Sequence, residues 1–260
     1  MRGQVAHQAL FRFFSGLPKE VGTERVTADM LEPAIGWLRT CLDDALGGHV
    51  DRRLDLSPLA RRELEQGLWR DLEAVIRQEA ESVSPLVPRK FEVSFGSERS
   101  APELQRGLDL GGFFLTGKID RIDADPFSAR GVVHDYKSGK TAHSAAQIER
   151  ERRLQVPLYM LVLRDLVGIE PLGGLYRPLA GERVPRGLLR EEARDDGLAG
   201  YAKNDYLDDE TFWARVEGAR TTAAGVVERI RGGDVKHDPR GDAGCHSWCE
   251  LGSMCRVGRG

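Results

Sequence analysis

A chain of 260 residues exceeds the usual single-domain size, yet one α/β core with insertions accommodates that length, so a single elaborated domain is expected. Hydrophobic residues at 40% and charged residues at 30% give a soluble globular composition, and no apolar run approaches the length that crosses a bilayer. The net charge of -3 gives no evidence for a broad basic face that would bind nucleic acid through phosphate neutralisation alone, so any such contact must be local.

The start, MRGQVAHQALFRFF, has too short an apolar stretch and no small-residue cleavage site for a signal peptide, which points to the cytoplasm. From Thr27 to about Leu46, the spacing of Leu31, Ile35, Leu38 and Leu42 predicts a helix. Ser57-Pro58 then opens a second helix with Leu64, Leu68, Leu72 and Ile76, so residues 27–82 read as a helical insertion. Cys41 lies beside the first apolar stripe and reads as a small buried hydrophobe.

The period then changes. Phe91 to Phe95, Phe113 to Ile122 and Val132 to Tyr136 are rich in β-branched and aromatic residues and are separated by Gly, Pro, Asp and Ser, which predicts strands. Ala145 to Val167 returns to helix, with Leu154, Leu158, Leu161 and Val162 on its apolar side, and Gly174 to Tyr176 reads as another strand. The acidic loop around Asp195 and Asp196 reads as solvated. A last helix is expected from Glu210 to Ile230, stopped by Gly232-Gly233, and an irregular cysteine-rich tail follows over residues 241–260. The fold class is thus α/β, with one domain over residues 1–240.

The chemistry concentrates on GKIDRID, containing Asp120, and VVHDYKSGK, containing Asp135 and Lys137, joined by the turn-rich link DADPFSARG. Because side chains alternate along a strand, Asp135, Lys137 and Val133 share one face. Two acidic oxygen ligands and a lysine suit a hard divalent cation such as Mg²⁺ or Mn²⁺, with the lysine orienting water and offsetting phosphate charge. The plain alternative is that Asp120, Arg121 and Asp123 are exposed strand-edge charges and that Asp135 and Lys137 form a surface ion pair. Val132, Val133 and Ile119 argue against it, because they mark buried-type strands where unneutralised charge is costly. On the following helix, Gln155 and Tyr159 lie four apart on one face, with Arg152 one turn earlier. Arg150, Arg152 and Arg153 are candidate DNA contacts, or else a solvated face shared with Glu149 and Glu151.

These residues resemble the RecB-type branch of the PD-(D/E)XK nucleases, which includes the nuclease domains of AddB-like helicase subunits. Gly3, His7 and Leu10 match its Gly-x-x-x-His-x-x-Leu helix, Gly117 and Asp120 its Gly-x-x-Asp strand, Asp135, Tyr136 and Lys137 its Asp-Tyr-Lys strand, and Gln155 and Tyr159 its Gln-x-x-x-Tyr helix. The resemblance implies a restriction-endonuclease-like core with a central mixed sheet flanked by helices. It also implies a metal held by His7, Asp120, Asp135 and the Tyr136 carbonyl, with Lys137, Gln155 and Tyr159 assisting catalysis. Glu92 falls where relatives often carry a glutamate and reads as structural.

The same family often carries a four-cysteine 4Fe-4S cluster, for which Cys245, Cys249 and Cys255 look like the trailing three ligands. The first gap holds three residues rather than two, and the chain starts at the His motif, so the upstream cysteine is missing. A longer parent chain is the favoured explanation; Cys41, His246 or another group as the fourth ligand, zinc held by the three cysteines and His246, and an empty, reduced set of cysteines are the rivals. The resemblance implies single-strand or end-directed DNA cutting in repair or recombination. The absence of a Gly-x-x-x-x-Gly-Lys-Ser/Thr loop assigns any motor to a helicase partner or to a longer chain. A catalytically inactive scaffold with the same fold is the competing class, and action on RNA is a minor one.

Overall fold

The computed structural model describes residues 2–53 and 57–234. The tail with Cys245, Cys249 and Cys255 lies outside the described residues, so the expected cluster ligands are not located. Three helices come first: α1 (Arg2–Glu20), α2 (Leu31–Arg53) and α3 (Pro58–Ala80). Ser57 caps α3 by accepting from the Ala60 N–H, with Pro58 at the first helical position where no donor is needed. The three helices bury Phe13, Leu17, Leu38, Leu42, Leu72 and Ile76 in one core. Cys41 belongs to that core, and burial pushes its thiol up to about 12, as a structural residue should behave.

Strands β1 (Val87–Phe95), β4 (Gly117–Ala124), β5 (Arg130–Lys137), β6 (Glu170–Pro178), β7 (Arg186–Arg190) and β8 (Tyr206–Leu207) form one mixed sheet in the order β1-β4-β5-β6-β7-β8. β5 runs parallel to β6 and β7 to β8, while the other neighbours are antiparallel. A small ribbon, β2 (Leu108–Asp109) with β3 (Phe114–Leu115), takes the first part of the segment expected as one strand from Phe113 to Ile122. Alternation along the central strands sends Tyr136 toward the α1–α3 core and Val133, Tyr176 and Leu188 toward the opposite face. That second face packs against α4 (Ala145–Arg150), α5 (Gln155–Val162) and α6 (Asp209–Arg231). Among the described residues no helix is long and apolar enough to cross a membrane.

The helix expected over Ala145–Val167 is broken in two. Ser144 and Gln147 form a capping box that starts α4, but Pro157 has no N–H for the Arg153 carbonyl, and its ring would clash there if the helix were continuous. The chain instead turns at Arg152, whose φ of 48° lies in the left-handed region. Arg152 is therefore not on the Gln155–Tyr159 face. The Asp196 carboxylate, expected to be solvated, accepts two hydrogen bonds from the Arg130 guanidinium at 2.7 and 2.8 Å. Asp195 is exposed as expected.

Arg121 and Asp123 are also not edge charges. Arg121 is 2% exposed, donates to Asp123 Oδ2 at 2.7 Å and to Glu79 Oε2 at 2.8 Å, and lies 4.3 Å above the Phe14 ring. Arg177 pairs with the other Glu79 oxygen at 2.6 Å, and His134 stands 3.1 Å from Asp123. Burial alone would raise the Asp123 carboxyl, but the Arg121 charge and His134 override it and hold it far below the usual range. Removing one member of such a buried network leaves its partners charged and uncompensated. Arg121→Met should lose about 3–5 kcal/mol of unfolding free energy. Urea denaturation checks this, and a loss under about 1 kcal/mol would show that the network does not support the fold.

Candidate metal centre

α1 buries Val5, Ala9, Leu10, Phe13 and Leu17 and leaves His7 on the part-open side facing the sheet. The β4–β5 ladder runs from Ala124–Gly131 to Arg121–His134 and then stops, so Asp120 and Asp135 stand just past its last pair. The Tyr136 N–H, released from the ladder, donates to Asp120 Oδ2 at 2.7 Å. The other Asp120 oxygen lies 3.2 Å from His7 Nδ1, and His7 Nε2 lies 3.2 Å from the Tyr136 carbonyl.

Glu92 joins this group. It sits on β1 between the register pairs Phe91–Arg121 and Val93–Ile119, beside Asp120 on β4. Its φ of 49° places a non-glycine residue in the left-handed region, a local strain of about 1–3 kcal/mol of the kind that collects at functional sites. Ligand atoms of His7, Glu92 and Asp120 all lie within 4.8 Å of one another, the one such group found among the described residues. Reading Glu92 as structural missed this. The available signal was an acid inside the alternating strand FEVSF, and it became meaningful only once the β1–β4 register was known. Lys118, also not singled out from sequence, forms an ion pair with Glu92.

Lys137 organises the other half. Its Nζ lies 2.6 Å from Asp135 Oδ2 and donates to Gln155 Oε1 at 2.8 Å, and Gln155 Nε2 donates to the Tyr159 hydroxyl at 3.1 Å. The α5 pair thus reaches the lysine through Gln155, with Tyr159 behind it. Asp135 is not in the three-residue group but adjoins it closely enough to feel the charges of Asp120 and His7. Burial pushes the Asp135 carboxyl up to about 6, the Asp120 charge adds to this, and Lys137 only partly opposes it. For His7, burial alone would lower the pKa, but the hydrogen bond and charge of Asp120, with Glu92 and Asp135, raise it.

One imidazole, two grouped carboxylates and a backbone carbonyl form a donor set suited to Mg²⁺ or Mn²⁺. The grouping of the His7, Glu92 and Asp120 ligand atoms within 4.8 Å supports that fit, and Asp135 adjoins them with its buried Oδ2 held 2.6 Å from the Lys137 ammonium. Such a cation needs His7 neutral and both neighbouring carboxylates charged, so binding releases protons.

A raised folded value gives stabilisation that is complete below the unfolded range and lost as pH rises, for Asp135 through about 6. The metal-free protein should therefore lose stability mainly between about pH 4 and pH 6, with Asp135 alone costing about 3 kcal/mol by neutral pH. Asp135→Asn should remove this cost and raise the metal-free melting temperature at pH 8. The melting-temperature gain from Mn²⁺ should grow with pH in the wild type. A thermal-shift series at pH 5 to 8 would contradict this if the metal-induced gain were flat.

A family model for the PD-(D/E)XK nuclease superfamily matches residues 1–256. No curated protein matches the chain. The mixed six-stranded sheet, the acidic pair at its parting strands and the adjoining lysine agree with that match over nearly the whole length. The chain belongs to the PD-(D/E)XK nuclease superfamily, and its fold is the restriction-endonuclease-like α/β core.

Proposed function

We propose that the protein is a RecB-type, metal-dependent deoxyribonuclease that cuts single strands or DNA ends, most simply as an exonuclease in repair or recombination. The observation that carries this reading is the joining of two half-sites: His7, Glu92 and Asp120 within ligand distance of one another, and Lys137 clamped between Asp135 and Gln155 beside them. The four family motifs in their order on the chain support the RecB-type assignment, and with it a helicase partner or a longer parent chain.

His7, Glu92, Asp120, Asp135 and the Tyr136 carbonyl would hold the divalent ion, which supplies Lewis-acid polarisation of the phosphodiester and of an attacking water. Lys137, with one proton held by Gln155 and its charge balanced by Asp135, keeps its remaining protons to orient that water and to offset charge developing on the phosphate. Tyr159 fixes the Gln155 amide, so that its oxygen rather than its nitrogen meets the lysine. A non-catalytic scaffold would have no use for this intact arrangement of Asp120, Asp135 and Lys137.

End-labelled single- and double-stranded DNA incubated with Mg²⁺ or Mn²⁺ should be cut by the wild type, with EDTA abolishing the reaction. Asp135→Ala and Lys137→Ala should each lower the rate at least about a hundredfold, by loss of an electrostatic group at the reacting phosphate. Folded wild-type protein that binds DNA without cutting it would favour the scaffold instead.

A further inference from the structure

On α1, Gln4, His7, Gln8 and Phe11 recur at three- and four-residue spacing and form one stripe, opposite the buried stripe of Val5, Ala9 and Phe13. The stripe, with Glu92 and Lys118 from the sheet, lines an open groove of about 650 Å³. Two of the three grouped metal-ligand candidates, His7 and Glu92, are therefore in the wall of this groove. Phe11 is the feature that packing does not explain. It is 40% exposed, whereas Phe13 and Phe14 on the same helix are fully or almost fully buried.

We propose that Phe11 is a stacking platform for an unpaired base of the substrate strand, one step from the phosphodiester at the metal site, and that the α1 groove is the path of single-stranded DNA. This inference rests on the nuclease reading above. Four helical residues separate His7 from Phe11, a rise of about 6 Å, so the ring is within reach of a nucleotide neighbouring the metal site. An exposed aromatic face accepts any base, and stacking on it suits single strands, whose bases are not already paired. Gln4 and Gln8 bring amide donors and acceptors that fit base edges or phosphate oxygens, and the half-exposed Lys118 adds a cation beside the path. A duplex hides its base faces and gains nothing from Phe11, so the platform selects for single-stranded substrate.

The test is steady-state cleavage of a labelled single-stranded oligonucleotide and of a set of oligonucleotides, each carrying one abasic site at a successive position. Phe11→Ala should raise KM about tenfold with kcat within about twofold, and Phe11→Trp should restore it, since the loss is one base–aromatic stack. In the wild type one abasic position should raise KM about tenfold. In Phe11→Ala that same position should add nothing further, the signature of two groups that act on each other. A KM for Phe11→Ala within twofold of wild type, or an abasic penalty equal in both proteins, overturns the proposal and leaves the nuclease reading standing. The abasic series on wild-type protein decides the matter even if the variant is unstable, because a flat series also overturns it. Wild-type protein that cuts none of these substrates overturns the nuclease reading and this inference together.

Discussion

The site depends on a fork in the sheet. While β4 and β5 remain paired, their backbone groups satisfy each other and their side chains serve the two cores. Beyond Arg121–His134 they part, and the freed Tyr136 N–H would be a costly buried donor if Asp120 did not accept it. That one bond fixes the Asp120 carboxylate in the mouth of the fork. It leaves the Tyr136 carbonyl turned to His7, and the following Lys137 side chain on the same face as Asp135. α1 covers the fork from one side with His7, and the strained Glu92 reaches in from β1.

Charge is buried on either side of this fork by two different means. Among Glu79, Arg121, Asp123 and Arg177 two carboxylates meet two guanidinium groups, so the network neutralises itself and can remain closed. At the fork three carboxylates, Glu92, Asp120 and Asp135, face the two ammonium groups of Lys118 and Lys137, with His7 shared among them. Burial, with the Asp120 charge added, raises the proton affinity of Asp135, and the neighbouring carboxylates raise that of His7. A divalent cation would complete the second arrangement and would have no place in the first. Proximity of acids is common in proteins; an uncompensated acidic excess in a part-buried, preorganised mouth is what marks a site.

Much of this was legible in the sequence because it is local. The alternation of Val133, Asp135 and Lys137 gives their common face, and the spacing of Gln155 and Tyr159 gives theirs. Helix periodicity from Leu31 to Ile76 and the Gly232-Gly233 stop appear in α2, α3 and α6 with small shifts of boundary. The losses came where a pattern was read without its interruptions or its partners. Pro157 lay inside the apolar run of Ala145–Val167 and broke it, moving Arg152 off the helix. The network that buries Arg121 and Asp123 draws on Glu79 and, through it, Arg177, both distant in sequence, and Glu92 became a ligand candidate only through the β1–β4 register. Strands β7 and β8 are short and take their strand character from the sheet edge they extend.

The most direct test of the fork as a metal centre is anomalous diffraction from crystals grown with Mn²⁺. The expected result is a manganese peak bounded by His7, Glu92, Asp120 and the Tyr136 carbonyl, with Asp135 at its edge and Lys137 outside its coordination sphere. Manganese absent from that position, or bound only to exposed carboxylates elsewhere, would contradict the account.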